Sequence, residues 1–370
     1  MSSGYYQQED DLFLAALASI PGLGPQRLKR LFEYYGSWQN AWEGKEIDWQ
    51  KYKIPKISLI SWQNSKPDFS PQNLINLLKK TNTRLLTNTC SDYPIGFNQL
   101  KDAPLLLYAR GSWPKNKTFI TVIGSRQPSQ YGERAASKII PPLLTEYSVV
   151  SGLALGLDSL AHRLSLQAEG HTVAILGSGL DNIYPSTNQP LAAEILKKGG
   201  LLLSEYALSA PPIKTNFIQR NRLLAAISDI IIILEANLHS GSLITARLAQ
   251  KLERHIYAIP GNIFDNHAAG CHLLLQEGAK ILTNANQILK NSNEIKPTTR
   301  IVKIYLNQQE QAIVDLLKKQ AAGFQNINAD KIGKILKLDT ASVNSTLSIL
   351  EIKNIVCQRQ GCYYLSFLPT

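Results

Sequence analysis

The chain has 370 residues, 44% of them hydrophobic, and a net charge of +11. This length favours two or three domains, and no apolar run approaches the ~20 residues of a membrane span, so we expect no membrane partner. The amino terminus lacks a basic region before an apolar one, and the four cysteines form no C-x-x-C pair. We therefore expect a cytoplasmic protein with free thiols. The positive net charge favours anionic partners but does not indicate which kind.

The first 70 residues form a predicted helical domain. Leu12, Leu17, Leu28 and Leu31 recur at helical spacing. Between them, residues 20–24 (Ile-Pro-Gly-Leu-Gly) form a tight glycine turn that joins two helices. The polar, proline-bearing stretch 53–71 predicts a linker.

Residues 71–290 alternate short β-branched runs with helical patterns, which predicts a parallel sheet with helices on both faces. The unbroken apolar run 230–234 is typical of a central strand buried on both faces. Pro141 and Pro142 fall inside the first of these helices, which should kink or break there. The predicted strands are 119–123, 148–151, 172–176, 201–204, 229–234, 255–259 and 279–282.

The last part of the chain, 301–370, follows a second predicted linker at 291–300. Its pattern is three helices followed by two short strands around Gln360-Gly361, a pair that suits a hairpin turn. This order predicts a winged-helix domain.

The turn after strand 119–123 begins like a nucleotide-binding turn but lacks the further glycines of G-x-G-x-x-G and reads Gly124-Ser125-Arg126. A strand that leads into a helix presents free backbone N–H groups, which favour an anion. Gly124 allows close approach of the backbone, and Arg126 adds a planar donor fork that suits phosphate oxygens. The alternative is an ordinary surface arginine after a strand.

A second segment, 216–222, precedes an apolar helical run. Arg220 and Arg222 flank Asn221, and Phe217 comes just before them. Two arginines at the start of a buried helix cannot both point inward without cost, so we expect them at the edge where strand ends meet. The alternative is a surface helix with ordinary charges.

A third segment follows the longest apolar strand. Ser240, Gly241 and Ser242 form a small, N–H-rich helix start with Ser242 as the predicted N-cap, and Thr245 lies one turn further on. The segment suits a phosphate, and the alternative is a purely structural cap.

Asp158 and His162 lie four residues apart and share a helix face. We expect a hydrogen-bonded structural pair, because the chain has no G-x-x-x-x-G-K-[ST], G-x-S-x-G or H-E-x-x-H motif. These segments all follow strands of one predicted sheet, and open sheets bind ligands at that edge. The combination indicates a polyanion that is held rather than cut.

These motifs together resemble the DprA/Smf family of bacterial DNA-processing proteins. The likeness extends through the predicted sheet domain. Besides the segments above, it includes Tyr93-Pro94, Tyr131-Gly132, Ser151-Gly152-Leu153-Ala154, Leu180-Asp181, Tyr184-Pro185, Ser204-Glu205-Tyr206, Pro260-Gly261, Gly270-Cys271 and Gly278-Ala279.

The resemblance implies an extended Rossmann-like domain that binds single-stranded DNA in a basic pocket and forms a homodimer. It implies delivery of the strand to RecA in place of single-strand-binding protein during natural transformation or recombination, without enzymatic activity, cofactor or metal. Replacing Arg126 or Arg222 with Ala should then weaken binding uniformly across sequences. The predicted DNA contacts are Gly124, Ser125, Arg126, Phe217, Arg220, Asn221, Arg222, Ser240, Gly241, Ser242 and Thr245. The aromatic side chains expected near the same edge are Tyr131, Tyr184, Tyr206 and Phe217.

The flanking domains leave alternatives open. The turn with Gly22 and Gly24 resembles a helix-hairpin-helix turn, whose amides grip a DNA phosphate, but it also matches the family's SAM-like helical domain, where the turn is structural. The third helix of the predicted winged helix has no Lys or Arg over 341–348, which favours a protein-contact or structural role. Lysines on the second helix (Lys331, Lys334 and Lys337) keep duplex binding open.

One rival function comes from the cytokinin-activating phosphoribohydrolases, which have a similar Rossmann-like topology. Their turn P-G-G-x-G-T-x-x-E carries a glutamate that serves the chemistry. The comparable segment here, 240–247, has Ala246 and Arg247 where that glutamate would stand. The sequence therefore disfavours hydrolysis but leaves nucleotide binding open. A third alternative, a regulator that binds double-stranded DNA through the winged helix, is disfavoured by the uncharged third helix.

Overall fold

A computed structural model describes residues 6, 8–52, 54–114, 118–289, 306–321, 327–353, 355–359 and 361–365. The chain divides into two compact units, Met1–Ile295 and Lys296–Thr370. The predicted domain limits 1–70, 71–290 and 301–370 stay predictions, and the predicted linker 291–300 lies outside the described residues. Across the described ranges, no helix is long and apolar enough to span a membrane, and no cluster of His, Cys, Asp and Glu is arranged to hold a metal ion.

The first unit begins with six helices. The predicted linker at 53–71 is wrong, because one of these helices lies inside it. Its Trp62 is buried, donates its indole N–H to the Trp42 carbonyl (3.0 Å) and stacks on Trp49 with 4.3 Å between ring centroids. The helices are α1 Asp10–Ala18, α2 Pro25–Tyr35, α3 Trp38–Glu43, α4 Glu46–Lys51, α5 Lys56–Ser65 and α6 Pro71–Lys80.

A nine-stranded sheet follows in the same unit, in the order β1-β2-β6-β5-β4-β3-β7-β8-β9. All seven predicted strands are present, and the sequence pattern missed the first two. The strands are β1 Thr83–Thr87, β2 Leu106–Gly111, β3 Thr118–Ile123, β4 Tyr147–Ser151, β5 Thr172–Ile175, β6 Leu201–Ser204, β7 Ile230–Ile233, β8 His255–Ala258 and β9 Lys280–Ile281.

The strands from β6 to β9 across the sheet pair in parallel, whereas β1 pairs with β2 and β2 with β6 in antiparallel fashion. Helices connect the parallel strands, as the alternating pattern predicts. They are α7 Gln130–Leu143, α8 Leu157–Gln167, α9 Gln189–Lys197, α10 Lys214–Ala226, α11 Gly241–Lys251 and α12 Ala269–Gln276, with short 3-10 helices at Ile95–Gln99, Ser186–Asn188 and Ala285–Gln287.

Strand β7 is buried on both faces, as its unbroken apolar sequence predicts. Ile231 and Ile233 belong to one apolar cluster, whereas Ile232 and Leu234 belong to another. Successive side chains of a strand point to opposite faces, so these two clusters are the two layers that cover the sheet.

Helix α7 does not break before its prolines. It includes Pro141 and Pro142 and ends one residue later, at Leu143. The N–H groups that proline lacks therefore fall in the last turn, where their loss interrupts little of the helix.

Over its described residues, the second unit contains three helices and a two-stranded antiparallel hairpin. Its described apolar core includes Ile313, Leu317, Ile332, Val343 and Leu347, all buried. The elements are α13 Gln308–Ala321, α14 Ala329–Leu336, α15 Thr340–Ile352, β10 Val356–Arg359 and β11 Cys362–Leu365.

Candidate nucleic-acid interface

The order of the strands creates a switch point at the centre of the sheet. Strands β3 and β7 are neighbours, but the chain continues from β3 to one side and from β7 to the other. Loops that diverge in this way leave a crevice at the carboxyl ends of the strands, where open α/β sheets bind ligands. The loops after β3, β4, β5 and β7 (residues 124–129, 152–156, 176–185 and 234–240), together with Phe217 in the first turn of α10, are called the rim below.

The Gly124 turn is held in place from two sides. Ser242 Oγ donates to the Gly124 carbonyl (3.0 Å), and the Leu157 N–H donates to the Ser125 carbonyl (3.0 Å). A Cβ atom on Gly124 would lie 2.5 Å from Leu157 Cδ1, so packing against α8 requires glycine here. The turn therefore has a fixed backbone on which Arg126 is mounted.

Arg126 is exposed and, within the described ranges, has no hydrogen-bond or ion-pair partner. A second guanidinium, that of Arg220, lies near enough to feel its charge. Burial lowers the pKa of Arg220 to about 10, Asp158 opposes this shift, and the charge of Arg126 adds to it. The exposed charge of Arg126 and the buried charge of Arg220 repel each other, and an anion bound at Arg126 would relieve that repulsion.

Arg220 lies beneath the rim rather than on it. Its side chain is 3% exposed, and its guanidinium donates to the Gly152 carbonyl (2.7 Å) and to the Ile175 carbonyl. These carbonyls belong to the carboxyl ends of β4 and β5, which Arg220 joins. Arg220 therefore reaches the place where strand ends meet, but it does so as a buried side chain and not at the open surface.

Asp158 and His162 do not form the predicted hydrogen bond with each other. Asp158 Oδ2 accepts from the Gly152 N–H (3.1 Å), and His162 Nδ1 is paired with Thr172 Oγ1 (2.8 Å). Both side chains are buried, and His162 Nε2 has no partner in the part of the chain that the structure describes. Burial raises the pKa of Asp158, and Arg220 opposes that shift.

Arg222 is already engaged by two carboxylates. Its guanidinium donates to both carboxylate oxygens of Glu205 (2.9 and 2.7 Å) and to Asp102 Oδ2 (2.8 Å). The side chain is only 11% exposed. This bidentate pairing leaves the guanidinium little capacity for a phosphate.

The start of α11 differs from the prediction in its cap. Ser240, not Ser242, is the N-cap, and its Oγ accepts from the Ser242 N–H (3.2 Å). Thr245 is 1% exposed and donates to the Gly241 carbonyl (3.4 Å). Of the predicted contacts in this segment, Gly241 is the exposed one, with open space where a side chain would stand.

An aromatic pair stands on the rim near Arg220. The rings of Tyr184 and Phe217 lie 5.3 Å apart, and the Arg220 guanidinium lies 6.0 Å from the Phe217 ring centroid. A Cβ atom on Gly177 would come within 2.7 Å of Phe217 Cδ1, so glycine after β5 lets the ring settle there. Tyr184 is 50% exposed and offers a surface for a planar ligand group.

Comparison with known proteins identifies the family of this chain. Residues 84–293 match the family model described as DNA recombination-mediator protein A. The chain belongs to the DprA/Smf family. Protein Smf from Synechocystis is 29% identical over 96% of this chain and 98% of its own length.

Two solved structures of the family also align. DNA processing protein A from Streptococcus pneumoniae aligns over 77% of this chain and 98% of its own, with 31% identity and a TM-score of 0.62. The Helicobacter pylori protein, whose structure addresses a unique single-stranded DNA binding mode, covers 55% of this chain and 93% of its own, with 35% identity and a TM-score of 0.50.

Two carboxylates near this candidate site were not singled out from the sequence. Glu205 stands in the quoted motif Ser204-Glu205-Tyr206, so its position was marked although its pairing was not. Asp102 carried no signal, because it precedes β2, a strand that the sequence pattern missed. Only the fold shows that both carboxylates converge on Arg222.

The buried histidine predicts a pH dependence of stability. Burial, with a contribution from Arg220, lowers the pKa of His162 to about 3 from the ordinary 6.5. Between about pH 6.5 and pH 3, His162 is therefore protonated in the unfolded chain and neutral in the folded chain. The free energy of unfolding falls as pH decreases through this range, because protonation favours the unfolded state. The loss from pH 7 to pH 5 should be about 2 kcal/mol.

Urea unfolding of the wild type and of His162→Gln at several pH values tests this. The variant should be less stable at pH 7 but should lose the wild type's extra pH dependence between pH 7 and 5. The raised pKa of Asp158 acts in the opposite direction, with stability lost as pH rises, and it remains in both proteins. Parallel pH profiles of the two proteins would contradict the assignment to His162.

Proposed function

We propose that this chain binds single-stranded DNA along the rim, with Arg126 as its open phosphate contact. The observation that carries the proposal is an exposed guanidinium, without a partner among the residues that the structure describes, on a fixed turn at the switch point of the sheet. Family membership and the single-stranded DNA binding of the Helicobacter pylori relative support it. Binding through phosphates should be tolerant of sequence and sensitive to salt.

The other predicted contacts take different roles in this proposal. Gly124 and Ser125 hold the turn, Gly241 leaves the start of α11 open to the strand, and Phe217 offers a ring to a base. Arg220 and Arg222 are positioning residues, since their donors are bound within the protein. The roles of Asn221, Ser240, Ser242 and Thr245 as contacts stay predictions.

The proposal predicts a specific defect in Arg126→Ala. Loss of one phosphate contact should weaken single-strand binding about tenfold at low salt and make the log–log salt slope shallower by about 0.7. The measurement is fluorescence anisotropy with a single strand and a duplex of the same sequence over a salt series. The wild type should prefer the single strand.

Arg163→Ala is the matched control, because Arg163 is also exposed but lies in the second turn of α8. Equal affinities of Arg126→Ala and the wild type, or a preference for duplex that neither variant changes, would refute the rim as the binding site.

The same proteins test delivery of the strand: RecA assembly on DNA coated with single-strand-binding protein should be stimulated by the wild type and less by Arg126→Ala.

We further propose, on the family resemblance, that the chain delivers the strand to RecA, acts as a homodimer and performs no catalysis. The absence of catalysis is supported by the burial of the acidic and imidazole side chains nearest the bound strand, which are Asp158, His162 and Glu235. Glu235 accepts from Ser129 N (2.9 Å) and Ser129 Oγ (2.5 Å) and so serves as a helix support. Sedimentation equilibrium would report the dimer.

We propose that the second unit is a winged helix. The order of α13, α14, α15 and the β10–β11 hairpin supports this. Because 341–348 on α15 contains no Lys or Arg, we assign the unit a protein-contact or structural role rather than duplex reading. A deletion of residues 301–370 that leaves single-strand affinity unchanged would agree with this role.

A further inference from the structure

A groove of about 940 Å³ lies between the amino-terminal helices and the sheet, within the first unit. One wall is the glycine turn between α1 and α2 together with the first turns of α2. The other wall comes from the loop after β6 and from α10. Because α10 carries Phe217 on the rim and Gln219 and Arg222 in the groove, the two surfaces share one helix.

The glycine turn is a rigid part of this wall. Gly22 has a φ of +83°, and its carbonyl accepts from Arg27 Nη1 (2.7 Å). Behind it, Ser58 Oγ donates to the Pro21 carbonyl (2.6 Å) and would lie 2.7 Å from a Cβ atom on Gly22. Gly24, in contrast, has open space around it, and no side chain caps α2 there.

The charges in the groove favour an anion on the α2 side. Arg27 and Arg30 are exposed on that wall, and Arg30 has no partner among the described residues. The carboxylates in the groove, Asp102 and Glu205, are on the opposite wall and are both bound to Arg222. The positive charge that remains available is therefore that of α2.

The wall opposite α2 provides surfaces for bases rather than for phosphates. Tyr206 lies there with its hydroxyl donating to the Asn216 carbonyl (3.2 Å) and to Gln219 Oε1 (3.3 Å), which fixes the ring. Ile213, 52% exposed, extends the apolar surface beside it. Cations along one side and an aromatic, apolar surface along the other are what a single strand needs.

We propose that this groove binds a second segment of the same DNA strand that occupies the rim, with Arg27 and Arg30 as its phosphate contacts. The inference rests on the proposed function. The strand would pass from the rim over the first two turns of α10, where Lys214 and Ile218 are exposed, and into the groove. The glycine turn then has a function beyond joining two helices.

The test compares oligothymidylates of about 5 and about 20 nucleotides, which bracket the ~4–16 nucleotides that a single-strand-binding domain covers. Arg30→Ala should leave the affinity for the short strand unchanged, weaken binding of the long strand about tenfold, and make its salt slope shallower by about 0.7. Lys29→Ala is the matched control, because Lys29 is exposed on the same helix but does not line the groove. Gly24→Ala adds a methyl group where the structure has open space. If the backbone of the glycine turn contacts the DNA, this variant should weaken binding of the long strand only.

The two proposals fail separately. Unchanged short-strand binding in Arg126→Ala would refute the rim, whatever Arg30→Ala does. The groove alone would be refuted as a DNA site if Arg30→Ala and Lys29→Ala bound the long strand equally well while Arg126→Ala remained defective. The groove would then be a candidate surface for a protein partner. Thermal unfolding of each variant tests whether the fold is intact, as we expect because these exposed positions have no side-chain partner among the described residues.

Discussion

Replacing Arg220 with Ala should destabilise the first unit by about 4 kcal/mol, the largest effect we expect from a single side chain. The guanidinium is buried, and its removal leaves the Gly152 and Ile175 carbonyls without this donor. It also leaves Asp158 buried without its neighbouring cation. Urea unfolding followed by tryptophan fluorescence measures this, since all five tryptophans lie in the first unit.

Arg220→Met separates the loss of charge from the loss of side-chain volume, and Arg247→Ala is an exposed control. Arg220→Met keeps most of the chain length, so it should lose nearly as much stability as Arg220→Ala if the polar partners dominate. Arg247→Ala, on the exposed side of α11, should change stability by less than about 0.5 kcal/mol. A loss of about 1 kcal/mol in Arg220→Met would mean that packing, not the buried charge, holds Arg220 in place.

The pH dependence of Arg220→Ala gives a second readout. Without the guanidinium, the pKa of Asp158 should rise further above its unfolded value, because burial then acts unopposed by a cation. A carboxyl group whose folded pKa is raised loses stability as pH rises, so the deficit of the variant should be larger at pH 8 than at pH 5. A deficit that does not depend on pH would argue against coupling between the two residues.

The sequence predicted the parallel part of the sheet well because a buried parallel strand leaves a local signature. The run 230–234 is apolar without a break, and β7 is indeed covered on both faces. Strands β1 and β2 were missed because they pair antiparallel at one side of the sheet, and that pairing depends on contacts distant in sequence. Helix α5 was missed because its polar sequence hides Trp62, which becomes informative only beside Trp49.

The site shows the same division between local and distant information. The site segments after β3, β4, β6 and β7 were found from the sequence because strand–turn–helix order is local. Which arginine is free was not predictable, because Arg126, Arg220 and Arg222 have the same chemistry in the sequence. Their difference comes from partners far along the chain: Asp102 lies 120 residues from Arg222, and Gly152 lies 68 residues from Arg220. Burial and pairing, rather than residue type, decide which one faces a phosphate.

Replacing Phe217 with Leu should weaken single-strand binding about 10- to 100-fold, because stacking of one base on an aromatic ring contributes about 1–3 kcal/mol. Leucine retains an apolar side chain against Gly177 but removes the flat face that Phe217 presents beside Tyr184. Phe119→Leu is the matched control, because Phe119 lies near the amino end of β3, at the opposite edge of the sheet from the rim.

The salt dependence distinguishes this defect from that of Arg126→Ala. A lost stack releases no counterions, so Phe217→Leu should lower affinity at every salt concentration and leave the log–log slope unchanged, whereas loss of Arg126 makes the slope shallower. Normal affinity in Phe217→Leu would show that bases do not stack on this ring and that preference for single strands has another origin. A changed slope would mean that the substitution also alters the phosphate contacts of the rim, so that Phe217 does more than stack on a base.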